Sequence, residues 1–276
     1  MAQVPPEQSP TRRHVRVGLI DVGEQLPFDL SRLAERLNRE QAEFRFQVLG
    51  VMTAAVLGPP TVKDRAYEAS AVHQGLKALG RRRECDYMIG VTHVRIEAKP
   101  PGSTRFEPYF SLGDFAEAAI VSVHPSMARC RGPTMTMDQY VAYLLMCETL
   151  ILTAGRDLSH TVNRRCLFDE CQDRYELRHC IESGTICNEC KTELEESNVP
   201  HAAVNACLQV LKWCRSKRWR FVGRYTVSHP LTALSIGTGL GWYTSAFVPA
   251  EQVWTVLGVA AVPIVLVGLY ARLWAK

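Results

Sequence analysis

Four side chains with the donor chemistry of a metal site fall within thirty-one residues of this 276-residue chain. His160 is followed six positions later by Cys166, and after twenty intervening residues comes Cys187-x2-Cys190. A CxxC on a turn presents two thiolates from one knuckle, and a second donor pair from elsewhere in the chain completes a tetrahedron. His160 and Cys166 are the best-spaced second pair. Cys171, His179 and Cys180 lie between them and the knuckle and compete for the same role. Ten cysteines in a chain whose first thirteen residues lack an apolar signal-peptide core read as reduced thiols or metal ligands in a cytoplasmic domain, not as disulfides. Zinc suits a mixed Cys/His set, whereas an iron–sulfur cluster fits one containing histidine less well. A site with four protein ligands is closed, so it stabilises folding and does not activate water.

Other chemistry is thin. The sequence has no GxSxG, no Walker-type glycine loop, no GxGxxG after a strand and no HxxxH. Glu84, Asp86, His93 and His124 are candidates to face a common strand edge, although lone histidines at strand ends are more often satisfied surface or core groups. Cys147 beside Glu148 on an apolar helix reads as a small buried residue. The formal charge of +4 is modest and is accounted for by basic residues near the end of the chain, so no nucleic-acid partner is expected.

The elements that position these residues follow an α/β pattern. Residues 14–21 (HVRVGLID) alternate and then run apolar, as a first strand does, and 44–48 and 86–94 read as two more. Residues 118–123 (AAIVSV) give a further strand, and 106–112 a short edge strand. Helical spacing marks Pro27, Leu30, Leu33 and Leu37, with Asp29 or Ser31 near the start, and predicts a helix over 62–79. A strongly apolar helix over 137–153 stands at the centre. The run 193–196 reads as a solvated helix end. Residues 199–213 form an amphipathic helix with Val204, Leu208, Leu211 and Trp213 as its apolar contacts. Strands separated by helices imply a mixed α/β fold with a mostly parallel sheet.

The tail has a different character. Residues 231–248 and 253–271 carry no charge, and only Pro249-Ala250-Glu251-Gln252 lies between them. Helices of that length span about 27–29 Å, close to the roughly 30 Å hydrocarbon core of a bilayer. They read as a two-helix transmembrane hairpin. The basic residues Arg215, Lys217, Arg218, Arg220 and Arg224 before it, with Arg272 and Lys276 after it, place both ends on the cytoplasmic side of the inner membrane, the basic cluster touching anionic headgroups. Ser235, Gly237, Gly239 and Gly241 form a small-residue face of the GxxxG kind, suited to self-association in lipid or to packing on the second span. The domains expected are a disordered N-terminus (1–13), the α/β domain (14–158), a zinc-binding subdomain (159–198), a basic amphipathic juxtamembrane segment (199–229) and the hairpin (231–271).

Val91-Thr92-His93, Ile120-Val121-Ser122, Cys166-Leu167-Phe168-Asp169 and Ile186-Cys187-Asn188-Glu189-Cys190, taken in this order, resemble the archaemetzincin family of zinc metalloproteases. The likeness runs over roughly residues 14–194 and is specific in the cysteine-bearing third. It implies a metzincin-like α/β fold with HExxHxxGxxH on the central helix. It further implies a cysteine after the third histidine, then four residues, Cys-Met, and a distant CxxC. His160 stands where the third histidine would be, because Cys166 lies six residues on. In that register the other two metal histidines fall at Leu150 and Ala154, the general-base glutamate at Ile151 and the glycine at Asp157. Sliding the register to Cys147-Glu148 recovers a glutamate but puts Ile151 and Asp157 at ligand positions. The cysteine after the third histidine is replaced by Thr161, which leaves His160 to take its place beside Cys166, Cys187 and Cys190 around one structural zinc.

The expectation is therefore a catalytically inactive, archaemetzincin-like protein anchored in the membrane. It would answer an upstream protein or small-molecule signal and oligomerise through its hairpin. This architecture resembles the two-span effectors of bacterial anti-phage defence. The rival readings are a membrane-tethered zinc metallopeptidase with unusual ligands and a non-enzymatic scaffold.

Overall fold

A five-stranded sheet carries the domain. The computed structural model describes residues 14–23, 26–53, 66–100, 102–128, 135–161, 165–171 and 174–215. The expected N-terminal tail, the hairpin over 231–271, the small-residue face at Ser235, Gly237, Gly239 and Gly241, and the basic residues Lys217, Arg218, Arg220 and Arg224 lie outside the described residues. Among the described residues no helix is long and apolar enough to cross a membrane.

β1 (Val15–Gly23) is central and pairs in parallel with β2 (Phe44–Thr53) and β4 (Tyr87–Thr92). β4 pairs in parallel with β8 (Ala118–Ser122), and the antiparallel strand β7 (Ser111–Gly113) closes that edge. A second, three-stranded sheet joins β3 (Tyr67–Glu68), β5 (Ile96–Ala98) and β6 (Glu107–Tyr109). The fold is mixed α/β and mostly parallel.

Two expectations need correction. The helix foreseen over 62–79 is, in its described part, preceded by β3 and runs later, as α2 (Ala69–Arg83). Tyr67 N–H donates to Arg95 O, so its backbone is committed to a strand before the helix begins. The single edge strand foreseen over 106–112 is two strands, β6 and β7, in different sheets. Pro108 lacks an N–H and is tolerated because β6 is an edge.

The sheet buries both faces, as the period of two along a strand requires. On one face Val17, Leu19, Ile89, Val91 and Val121 meet α1 (Leu30–Glu40), α3 (Met137–Ala154) and α6 (His201–Cys214). On the other, Ile20, Val22, Met88 and Ile120 meet Val72 and Leu76 of α2. The apolar side of α6 is built from small residues, with Ala203, Ala206, Cys207 and Val210 buried beside Leu211. Of the four residues expected as its apolar contacts, Leu211 is buried, while Val204, Leu208 and Trp213 are partly buried against the core.

α3 is the central helix. Thr136 and Gln139 close a capping box at its start: Gln139 N–H donates to Thr136 Oγ1 at 3.2 Å and Thr136 N–H to Gln139 Oε1 at 3.0 Å. It ends at Gly155, whose φ of +66° is the left-handed conformation that glycine adopts without strain and whose N–H returns to Ile151 O at 3.0 Å. Every residue from Tyr140 to Leu152 is buried, because sheet, α1 and α6 enclose the helix on all sides.

Candidate metal centre

Beyond Gly155 the chain turns back under α3, and Leu158 buries completely. His160 then pairs with Asp169 in an isolated bridge: His160 N–H donates to Phe168 O at 3.2 Å, and Glu170 N–H to His160 O at 2.9 Å. A second isolated parallel bridge sets Cys166 against Thr185, with Leu167 N–H donating to Thr185 O at 2.8 Å. Cys187 caps the N-terminus of α5 (Asn188–Glu196), its sulfur accepting the Cys190 N–H at 3.5 Å. The CxxC therefore opens the helix, with the Cys190 N–H turned toward the Cys187 sulfur.

These elements bring His160, Cys166, Cys187 and Cys190 together, with donor atoms within 4.8 Å of one another. Among the described residues it is the one group of three or more such side chains positioned to hold a metal ion. Cys187 Sγ lies 3.6 Å from His160 Nε2, and Cys166 Sγ lies 3.7 Å from Cys190 Sγ. Zinc–sulfur bonds of about 2.3 Å imply tetrahedral edges of about 3.8 Å. These two contacts match the spacing a tetrahedral ion requires, and the His/Cys set can hold zinc. Cys166 and Cys190 are buried, while His160 and Cys187 form the partly open side.

The electrostatics of the set favour thiolate at Cys166. The Cys190 S–H donated to Cys166 pulls the Cys166 thiol down to about 5 against the opposing effect of burial, with further help from the Phe168 and Cys187 backbone N–H groups and from His160. Cys190 is pushed up by the same bond. The Cys187 N–H donates to Cys166 Sγ at 3.2 Å, so a backbone dipole also supports that sulfur.

The sequence pattern did not mark Asp169 as part of this centre. Its Oδ1 lies 2.9 Å from His160 Nδ1, and its Oδ2 accepts the Cys166 N–H at 2.9 Å. A proton held on Nδ1 by the carboxylate leaves the Nε2 lone pair facing the sulfurs. The Cys-x-x-Asp spacing of the turn was the available signal, since a residue three on can return to the ligand's own N–H.

The competing residues lie next door. Cys171 Sγ and Cys180 Sγ are 3.7 Å apart, with Cys180 on α4 (Arg174–Ser183) and His179 exposed on the same helix. Arg215, at the end of α6, donates from Nη2 to Gly184 O at 3.0 Å and so braces the turn that precedes the knuckle. Glu84 and Asp86 precede β4, and His93 and His124 follow β4 and β8, so the four occupy opposite ends of the sheet and share no edge. Asp86 Oδ2 accepts the Arg16 N–H at 2.7 Å, and His124 Nδ1 lies 2.6 Å from Ser126 Oγ.

On α3, Leu150 and Ile151 are buried among apolar neighbours and Ala154 only partly so, while Asp157 is exposed beyond the helix. Glu148 is buried at 2 % exposure, with Oε2 under β7 at the position a Gly113 Cβ would meet at 2.7 Å. Burial pushes its carboxyl up to about 7, with Asp157 and Asp114 adding and a hydrogen bond to Ser111 opposing.

No protein-family model matches the chain, and none of the curated proteins does. Three solved structures are similar to it. Archaemetzincin from Methanopyrus kandleri is 20 % identical, with 68 % of this chain and 97 % of that one covered at a TM-score of 0.49. The zinc-dependent peptidase from Methanocorpusculum labreanum is 19 % identical, covering 64 % and 99 % at 0.47. Archaemetzincin from Archaeoglobus fulgidus, complexed with malonate, is 14 % identical, covering 64 % and 99 % at 0.41. What His160, Cys166, Cys187 and Cys190 can hold is decided by their own donor atoms.

Proposed function

We propose that this chain is a membrane-anchored, catalytically inactive, archaemetzincin-like protein whose single zinc is structural. The observation that carries the reading is the closed donor set: His160, Cys166, Cys187 and Cys190 supply four protein ligands within 4.8 Å of one another. Such an ion has no open position at which a water could bind and lose a proton. The positions of α3 that would carry an open catalytic set hold Leu150, Ile151 and Ala154, none of which can ligate. The ion locks the segment after α3 against α5, and so keeps the domain folded beside the lipid.

The membrane half of the proposal rests on the charge-free runs 231–248 and 253–271 and their basic flanks. The hairpin anchors the cytoplasmic domain in the inner membrane and self-associates through Ser235, Gly237, Gly239 and Gly241. A protein or small-molecule signal received by the α/β domain is then passed to the bilayer, as in a two-span defence effector. The opposing reading, a tethered peptidase with unusual ligands, needs a second, open zinc.

Metal analysis of the purified full chain separates the two. One zinc per chain and no cleavage of a peptide library support the proposal; two zincs, or cleavage that a chelator abolishes, overturn it. Recovery of the chain in the soluble fraction after lysis without detergent refutes the anchor. Induced expression with a membrane-potential dye tests the effector role, which unchanged potential with and without oligomerisation would defeat.

A further inference from the structure

Cys171 and Cys180 sit beside the metal set without belonging to it. Their sulfurs are in contact at 3.7 Å; Cys180 is buried at 1 % exposure, whereas Cys171 is partly open to solvent. The Cys180 S–H also faces Asp169 Oδ2 at 3.4 Å, the carboxylate that orients His160. On the zinc reading Cys166, Cys187 and Cys190 are ligands, and Cys147 is buried in the core. A thiol that solvent can reach, with a second thiol already against it, is the arrangement that lets a mixed disulfide resolve within one chain.

We propose that Cys171 and Cys180 form a reversible redox pair that closes to a disulfide against a low-molecular-weight disulfide of the glutathione type, with the zinc in place. The Cys171 thiolate attacks one sulfur of the oxidant, whose S–S bond breaks, and the first small thiol leaves with the proton that Cys171 gave up. Cys180 then attacks the Cys171 sulfur, the mixed disulfide breaks, and the second small thiol leaves with the Cys180 proton. Two electrons pass from the protein sulfurs to the oxidant. Closure removes the Cys180 S–H from Asp169 Oδ2, the oxygen that also accepts the Cys166 N–H, so the redox state of the pair reaches the metal ligand's own support.

The protection of the three other thiols rests on the zinc reading, so zinc is counted in the same samples. The full, zinc-loaded chain is treated with oxidised glutathione, alkylated and mapped by peptide mass. The expected result is a Cys171–Cys180 cross-link that dithiothreitol reverses, no alkylation at either position before reduction, and zinc retained. In Cys180→Ser the reaction should stop with one glutathione on Cys171. Full alkylation of Cys171 and Cys180 in the oxidised wild type overturns the proposal, as does a Cys180→Ser variant that takes up no glutathione. Zinc loss with cross-linking of Cys187 to Cys190 would instead count against the closed zinc site, and the Cys171–Cys180 result is read independently of it.

Discussion

Asp169 Oδ1 stands 2.9 Å from His160 Nδ1, while Oδ2 of the same carboxylate accepts the Cys166 N–H. One acidic side chain therefore orients two of the four metal donors, the imidazole ring through its proton and the thiol through its backbone. Such carboxylate–histidine pairs govern ligand basicity and ring orientation. Asp169→Asn keeps the size of the side chain and removes its charge. Zinc affinity is expected to fall about 10–100-fold, measured by competition with a chelator. An unchanged affinity would leave the carboxylate with no role in the site.

Cys187 has two duties, capping α5 and supplying a donor atom. Serine is a good N-cap residue, so Cys187→Ser preserves the first duty and removes the thiolate. Zinc content is expected to drop from one per chain to near zero. If free zinc stands a thousandfold above its dissociation constant, the stability lost is about 4 kcal/mol. Metal analysis and thermal unfolding with and without added zinc check both parts.

Glu148 sets a pH dependence. Burial pushes its carboxyl up to about 7 from an ordinary 4.5, so the folded state holds a proton there that the unfolded chain has already lost. Stability from this group is full below about 4.5, declines as pH rises, and is lost above about 7. The difference amounts to about 3 kcal/mol at 1.36 kcal/mol per pH unit. Glu148→Gln keeps a partner for Ser111 and carries no charge. Its melting temperature is expected to exceed that of the wild type at pH 8 and to match it near pH 5. A gap that does not change with pH would contradict this.

Gly80 lies where α2 crosses β4, and a Cβ there would meet Met88 Cγ at 2.5 Å. Alanine is the better helix former by about 1 kcal/mol, but inserting a carbon into a packed contact costs about 1–3 kcal/mol. Gly80→Ala is expected to be net destabilising by roughly 1 kcal/mol, read from urea unfolding. A stabilised variant would show that the helix can move away from the strand.

Much of the architecture was legible in local pattern. The mainly apolar runs at 15–23, 87–92 and 118–122 and the largely apolar helix at 137–154 announce themselves through period and length, because a parallel sheet buried on both faces shows little polar alternation. Tyr67 and Glu68 misled, since they continue the helical spacing of the residues after them and only pairing with the distant Ile96 and Glu97 makes them a strand. The small-residue face of α6 misled in the same way: Ala203, Ala206 and Cys207 look like weak contacts until α3 comes close enough to bury them.

The sequence by itself determined that seven cysteines and histidines crowd positions 160–190, with a CxxC at the end, and it named His160, Cys166, Cys187 and Cys190 ahead of Cys171, His179 and Cys180 on spacing. Spacing is a one-dimensional quantity, and the choice among seven donors is a matter of distances across a turn and two helices. Tertiary structure decided that the bridges His160–Asp169 and Cys166–Thr185 bring the first four donors within 4.8 Å of one another. It also decided that Cys171 and Cys180 face each other instead, and that Asp169 stands between the two groups. Those relationships come from backbone bridges and side-chain contacts between separate turns and helices of this segment, and no local propensity encodes them.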